Sequence, residues 1–529
     1  TQFEATSARY AFPCFDEPRF KTPFDLTLSV RSADRAVANT TMSEEREIGS
    51  GMKEVRFATT ERLPTYLVAM AVGPLDIVEH APIPPNSVRR RPLPLRGIAR
   101  HGEGPRLAYA LERTGALLAD LEQYFGTEYP YDKLDIVAVP DFASGAMENA
   151  GLITFREVLL LLDPASAPED QRRSFAYVMA HELAHQWFGN LVTMPWWDDI
   201  WLNEAFATWM ASKVIEHVYP DYHAELGRVE SGHGAMRSDS LESARQIRQP
   251  IESNHDIRNA FDGITYRKGG AVLAMFERWL GEDVFRDGVR EYMAAHRFGT
   301  ATSDDLLDAL GRVAGRDVAT PFRTFLLQPG VPLLSVERLC DGQPRLRIAQ
   351  SRYFPIGAQG ERARSWQIPF CYRAQIGRAV REECALITES QQEFPIEGGC
   401  PAWVMPNASA AGYYRFALAR ADADALMQGG WSRLTPSERI AVADNLVAAF
   451  ASGALDAGAV FPHLTRIASD STGAVAEVPM GLVTFTRDQF FGADQRPVVE
   501  RFADRLYRAH YRRLGFSPRR GEDSETALF

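Results

Sequence analysis

The sequence lacks any apolar run long enough to cross a bilayer as a helix, which takes about 20 residues. Its longest, TYLVAMAVGPLDIV, is broken by Gly73 and Pro74. It lacks a net positive charge: the formal balance is -11, which argues against a nucleic-acid partner. It lacks low-complexity tracts, and 45% hydrophobic with 24% charged residues describes an ordinary globular protein. Cysteine is scarce. Cys14, Cys340, Cys371, Cys384 and Cys400 form no C-x-x-C pair, which argues against a thiolate metal site and leaves buried reduced thiols as the expectation. Four of them lie between 340 and 400, so one or two disulfides stay open in an oxidising compartment. The chain opens on Thr1 and shows no signal-peptide pattern. A targeting segment or anchor is therefore expected ahead of residue 1, with the cytoplasm and the periplasm or extracellular space both open. Oligomeric state is not fixed by the sequence.

What is present divides by periodicity. At 529 residues the chain is too long for one core, and roughly three or four domains are expected. In PFDLTLSV, residues 23–30, Phe24, Leu26, Leu28 and Val30 alternate with Asp25, Thr27 and Ser29, the pattern of a half-buried strand. Similar segments recur to about residue 78, which gives a β domain over 1–78. The Pro- and Arg-rich APIPPNSVRRRPLPLRG reads as an irregular connector. A helix ending at Gly126, the strands KLDIVAVP and GLITF, and long helices then make an α+β domain over 79–328. Short alternating strands make a small β-sandwich over 329–418. From 419 to 529 the chain is helical, with Thr435 as N-cap, Pro436 at the first position and Glu438 closing a capping box. The last helix runs from Arg496 to about Leu514. So few helices suggest a domain that continues beyond the sequence.

One helical stretch carries chemistry. YVMAHELAHQWFGN, residues 177–190, places His181 and His185 one turn apart on a helix expected from about Ser166–Glu169 to Gly189. Two imidazoles on one face can grip a zinc ion. A third ligand from another element would complete a site with one open position. Glu204, with eighteen residues between it and His185, stands near the start of the next strong helix. Glu182 adjoins a ligand and can reach water at the metal without binding the metal, as a general base. Asp199 and Asn203 flank the third ligand and read equally as partners of an imidazole or as capping and turn residues.

The run HELAHQWFGNLVTMPWWDDIWLNEAFA resembles the zinc aminopeptidases of the gluzincin clan, the membrane alanyl, puromycin-sensitive and endoplasmic-reticulum aminopeptidase family. Gly145, Ala146, Met147, Glu148 and Asn149 match that family's G-A-M-E-N motif, and ITYRKGG places Tyr266 in its tyrosine context. The opening TQFEATSARYAFPCFDEP resembles the end of the family's first domain, and the match runs along essentially the whole chain. Ala205 replaces the usual Gly and Asp198 the usual Asn, neither at a ligand. The resemblance implies a multidomain α+β fold: a partial N-terminal β-sandwich, a thermolysin-like catalytic domain, a small β-sandwich and a partial α-helical C-terminal domain. It implies one Zn2+ per chain on His181, His185 and Glu204, and removal of single residues from peptides with a free N-terminus. Glu148 and Glu4, with Gln2 beside them, would receive the substrate's ammonium, and residues 145–149 would bind its backbone. Tyr266 would stabilise the oxyanion, and Lys268 would be structural. A related epoxide hydrolase is disfavoured by Ala146, where those relatives carry a second Gly. A non-catalytic binding protein or impaired fragment on the same fold is the remaining alternative.

Overall fold

The computed structural model describes residues 2–163, 165–517, 519, 522 and 524–529; Thr1, on which the sequence opens, lies outside them. The fold is multidomain α+β. It forms two compact units, Thr1–Pro220 with Arg248–Tyr266 and Glu282–Ala319, and Asp221–Ile247 with Arg267–Gly281 and Thr320–Phe529. Among the described residues no helix is long and apolar enough to cross a membrane.

The first unit begins with β structure. Thr27–Arg31, Met52–Phe57 and Met42–Gly49 form a three-stranded antiparallel sheet, and Arg35–Ala38 pairs with Met70–Gly73. The expected alternation holds: Phe24, Leu26 and Leu28 are half-buried, Val30 is buried, and the residues between them are exposed.

A five-stranded sheet follows, built from β1 (Leu75–Ile83), β2 (Leu93–Arg100), β3 (Leu134–Val139), β4 (Ala146–Met147) and β5 (Leu152–Arg156), in the order β1-β2-β3-β5-β4. β2, β3 and β5 run parallel. Helix α1 (Ala108–Phe125) makes the crossover from β2 to β3 and ends, as expected, at Gly126 with φ 61°.

This sheet corrects one expectation. The Pro- and Arg-rich stretch is the hairpin between β1 and β2, and the boundary expected at 78 falls inside β1. β1 is the outer strand, where the missing N–H of Pro82 is tolerated. The turn is ordered from within. Arg89, buried, donates to Glu122 at 2.8 Å and to the carbonyls of Ile83 and Pro84.

Aromatic packing joins the segments behind the metal helix. Phe125 stacks on Trp187 with centroids 4.9 Å apart, and Phe206 lies between Phe188 and Trp209. Lys21 ties the N-terminal part to the same region. Its ammonium donates to the carbonyls of Asn190 at 2.9 Å, Leu191 at 3.2 Å and Gly299 at 3.1 Å.

In the second unit, strands Gln391–Pro395, Arg345–Arg352, Pro332–Leu339 and Arg415–Leu418 form one sheet and Ala379–Ile387, Ile368–Ile376 and Val404–Met405 another. Here the reduced-thiol expectation is overturned. Cys371 and Cys384 face each other on adjacent antiparallel strands and are bonded. Cys340 and Cys400, with Cα atoms 5.5 Å apart, form a second disulfide, and Cys14 is free. Strand pairing brings together what sequence distance hid. The helix Pro436–Ala451 starts as read, with the reciprocal bonds of Thr435 and Glu438 at 3.2 and 2.9 Å. Lys268 is structural: it pairs with Asp239 at 2.8 Å, both fully buried.

Candidate active site and metal centre

Helix α2 (Glu169–Ala184) carries His181, and His185 caps its C-terminal end. Glu169 and Asp170 in its first turn favour the positive end of the helix dipole. It stops at His185, short of the expected Gly189. The chain instead folds back: Gln186 N–H bonds the Leu183 carbonyl and Asn190 N–H the His185 carbonyl. Gly189 adopts φ 118°, which no helix continues, and a Cβ there would meet Asn203 Nδ2 at 3.0 Å. The early stop leaves the two histidines one turn apart.

Their rings converge, with Nε2 atoms 3.0 Å apart. Helix α3 (Trp201–Val218) brings Glu204 in its first turn. Glu204 Oε2 lies 3.3 Å from Nε2 of His181 and 3.6 Å from Nε2 of His185. Ligands of tetrahedral zinc with bonds of about 2.0–2.1 Å stand about 3.3–3.4 Å from one another, so the triangle fits that ion. These three are the one such cluster among the described residues. His185 Nδ1 faces the Phe188 carbonyl at 3.0 Å, which holds the proton on Nδ1 and leaves the Nε2 lone pair for a metal.

The charge balance also fits a divalent cation. Glu4, Glu148, Glu182 and Glu204 surround two imidazoles. Burial, then the neighbouring Glu148 and Glu204, raises the Glu4 carboxyl well above its usual range. Burial likewise raises Glu148 and Glu182, against the pull of His185. Burial would lower His185, but Glu148, Glu204 and Glu182 push it up to about 10. Burial would raise Glu204, but the two imidazoles draw it down to about 2. Carboxylates crowded in this way are suited to a neighbouring cation. Oε1 of Glu4, Oε1 of Glu148 and Oε2 of Glu182 are buried without a hydrogen-bond partner among the described residues.

The remaining expected residues divide. Gln2 Nε2 contacts Met147 Sδ at 3.4 Å, and Gln2 Oε1 accepts from the Glu4 N–H at 3.3 Å. Ala146 and Met147 form β4 at the outer edge of the sheet, paired on one side with β5, and Gly145 leads into it. Asn149 turns its side chain into the scaffold. It is fully buried, its Nδ2 donates to the Leu67 carbonyl at 3.4 Å and its Oδ1 accepts from Thr154 at 3.1 Å. Tyr266 lies in a π-helical turn, Ile264–Lys268, beside His181. Burial, then Glu204, Glu4 and Glu148, raises its hydroxyl pKa far above 10, so it is a donor at neutral pH.

Asp199 and Asn203 both turn out to hold the scaffold. Asp199 accepts from Arg248 Nε at 2.7 Å and from the Ser303 N–H at 3.3 Å. Asn203 Nδ2 donates to the Tyr66 hydroxyl at 3.3 Å. Sequence reasoning missed Tyr66, Gln186 and Asn190. The last two carried a signal, polar side chains inside the apolar run HQWFGNLV. Tyr66 carried none.

Comparison with known proteins follows this geometry. Residues 109–325 match the peptidase family M1 domain and residues 1–67 the peptidase M1 N-terminal domain, together more than half of the chain. The chain is 33% identical over 544 residues to the puromycin-sensitive aminopeptidase of Caenorhabditis elegans, covering 100% of this chain and 56% of that protein. It is 39% identical over 358 residues to the alanine/arginine aminopeptidase of Saccharomyces cerevisiae, covering 68% and 40%. It is 34% identical over 429 residues to aminopeptidase M1 of Arabidopsis thaliana, covering 78% and 47%. The chain thus spans about half the length of the curated relatives it matches. Carrying both family domains and an inward-facing His-His-Glu cluster, it belongs to the M1 peptidases, the gluzincin group of zinc aminopeptidases.

Proposed function

We propose that this chain acts as a zinc-dependent aminopeptidase that releases single residues from peptides with a free N-terminus. The observation that carries this reading is the meeting of two buried carboxylate oxygens, on Glu4 and Glu148, unpartnered among the described residues, with the cluster of His181, His185 and Glu204. A cluster of metal ligands alone would suit any hydrolase. Added carboxylates suit a substrate that brings a cation, the α-ammonium.

Bound by His181, His185 and Glu204, zinc supplies Lewis-acid polarisation of a carbonyl and lowers the pKa of water towards neutrality. Glu148 and Glu4 hold the ammonium and so set which peptide bond is presented. The outer edge of β4 offers unpaired backbone groups, on which a peptide docks as an added strand. Glu182 takes the proton of the attacking water and returns it to the leaving amine. The Tyr266 hydroxyl donates to the oxygen on which negative charge develops. The two disulfides favour the periplasmic or extracellular option for the compartment. Alkylation without reductant, read by mass spectrometry, would label Cys14 alone.

The deciding experiment combines zinc stoichiometry with release of a chromogenic leaving group from alanyl, leucyl and arginyl amides and from their N-acetylated forms. One zinc per chain with cleavage confined to the free amines supports the reading. No cleavage at full zinc loading, or equal cleavage of both forms, refutes it.

A further inference from the structure

Glu148 is held at its main chain. Its carbonyl oxygen accepts two side-chain amides, Gln186 Nε2 at 3.0 Å and Asn190 Nδ2 at 2.7 Å. Both donors belong to the segment that leaves the metal helix. Gln186 directly follows the ligand His185, and its Nε2 also reaches the carbonyl of Glu182 at 3.1 Å. Asn190 N–H bonds the His185 carbonyl at 3.0 Å. The carbonyl of Asn190 is in turn held by Lys21 at 2.9 Å.

The two amides are an unusual expense. Gln186 and Asn190 are each 0% exposed, and Gln186 Oε1 and Asn190 Oδ1 lack hydrogen-bond partners among the described residues. A buried amide that satisfies only its donors bears a desolvation cost that an apolar side chain would avoid. What it secures is the position of Glu148. That residue follows a strand of two residues paired on one side only, so the β ladder fixes it weakly. Asn149 anchors the far side through Leu67 and Thr154, and Gln186 and Asn190 anchor the near side to the metal helix.

The geometry points to Gln186 and Asn190 as positioning residues that fix the spacing between the acid receiving the substrate's ammonium and the imidazoles holding the metal. This rests on the aminopeptidase reading of the same site. A displacement of about 1 Å in such a group is enough to misplace the scissile bond. Neither residue touches substrate. They act through the Glu148 backbone.

The test uses the full chain with Gln186→Met and Asn190→Leu, singly and together, both near in volume and without donors. Expected is a rise in KM for alanyl p-nitroanilide of about tenfold together with a fall in kcat of about tenfold. The preference for free over N-acetylated substrate should fall by a similar factor, while zinc stays at one per chain. A second arm needs no turnover. The stabilisation of the zinc-free protein by L-leucinamide, read as a shift in Tm, should shrink in the variants. Unchanged KM and unchanged leucinamide shift overturn the inference. So do equal losses on free and acetylated substrates, or loss of zinc, either of which makes the pair a general prop. Failure of both single variants to fold also overturns it. If the unaltered zinc-loaded chain cleaves no free-amine amide, the functional reading fails instead, and the leucinamide arm still decides the positioning role.

Discussion

The ring of Tyr266 lies nearly parallel to that of His181, with centroids 6.2 Å apart and planes 16° from coplanar. The stack separates two jobs of one residue. Tyr266→Phe keeps the ring beside the ligand and removes only the hydroxyl. We expect kcat to fall ~100-fold with KM and zinc content unchanged, measured by steady-state kinetics and metal analysis. Tyr266→Ala should additionally weaken zinc retention.

Glu182→Gln is the counterpart at the base. The side chain keeps its shape and the three ligands are untouched, so zinc should bind at full stoichiometry. Turnover should fall by ~100-fold to ~10,000-fold. Near-normal turnover in this variant would contradict the assignment of Glu182.

Removal of metal should be visible in stability. Zinc held only by the folded state stabilises it by about 2.7 kcal/mol at a free concentration of 100 Kd. Calorimetry should show Tm falling on chelation and recovering with added zinc. In His185→Ala neither treatment should move Tm, and a zinc-dependent Tm in that variant would count against the ligand set.

Acid should weaken the second unit through His233. This residue is 5% exposed and lies 3.3 Å from Asp444, which Arg415 also pairs. Burial pushes its pKa down to about 4 from an ordinary 6.5, with Arg415 and Arg237 adding to that and Asp444 opposing it. Between those values the unfolded chain binds a proton that the folded chain refuses. Stability is therefore full above about pH 6.5 and falls as pH drops to about 4, by roughly 3 kcal/mol. Scans of Tm from pH 8 to 4 should show this slope, and His233→Gln should flatten it.

The metal centre was legible because helical spacing is a local rule. His181, Glu182 and His185 are set by one period, and Glu204 by the length of a turn between two helices. The motif match added Glu148 and Tyr266, and both are found beside the cluster. The motif letter at Asn149 does not say where its amide points; here it points into the scaffold. The disulfides were misread because Cys371 and Cys384 meet only through strand register. The hairpin at residues 84–92 was misread because prolines that forbid a central strand are tolerated on an outer one. Gln186 and Asn190 escaped notice because their partner, the Glu148 carbonyl, carries no mark in a string of side-chain letters.

Lys21 adds a matter of timing. Its three acceptors sit 169, 170 and 278 positions further along the chain. As the polypeptide leaves the ribosome, this ammonium has no complete set of acceptors until Gly299 has been synthesised. The contact between this part of the chain and Gly299 closes a loop of 278 positions, and such long-range closure belongs to slow folding. Lys21 is thus made 278 positions ahead of Gly299, the acceptor that completes its set.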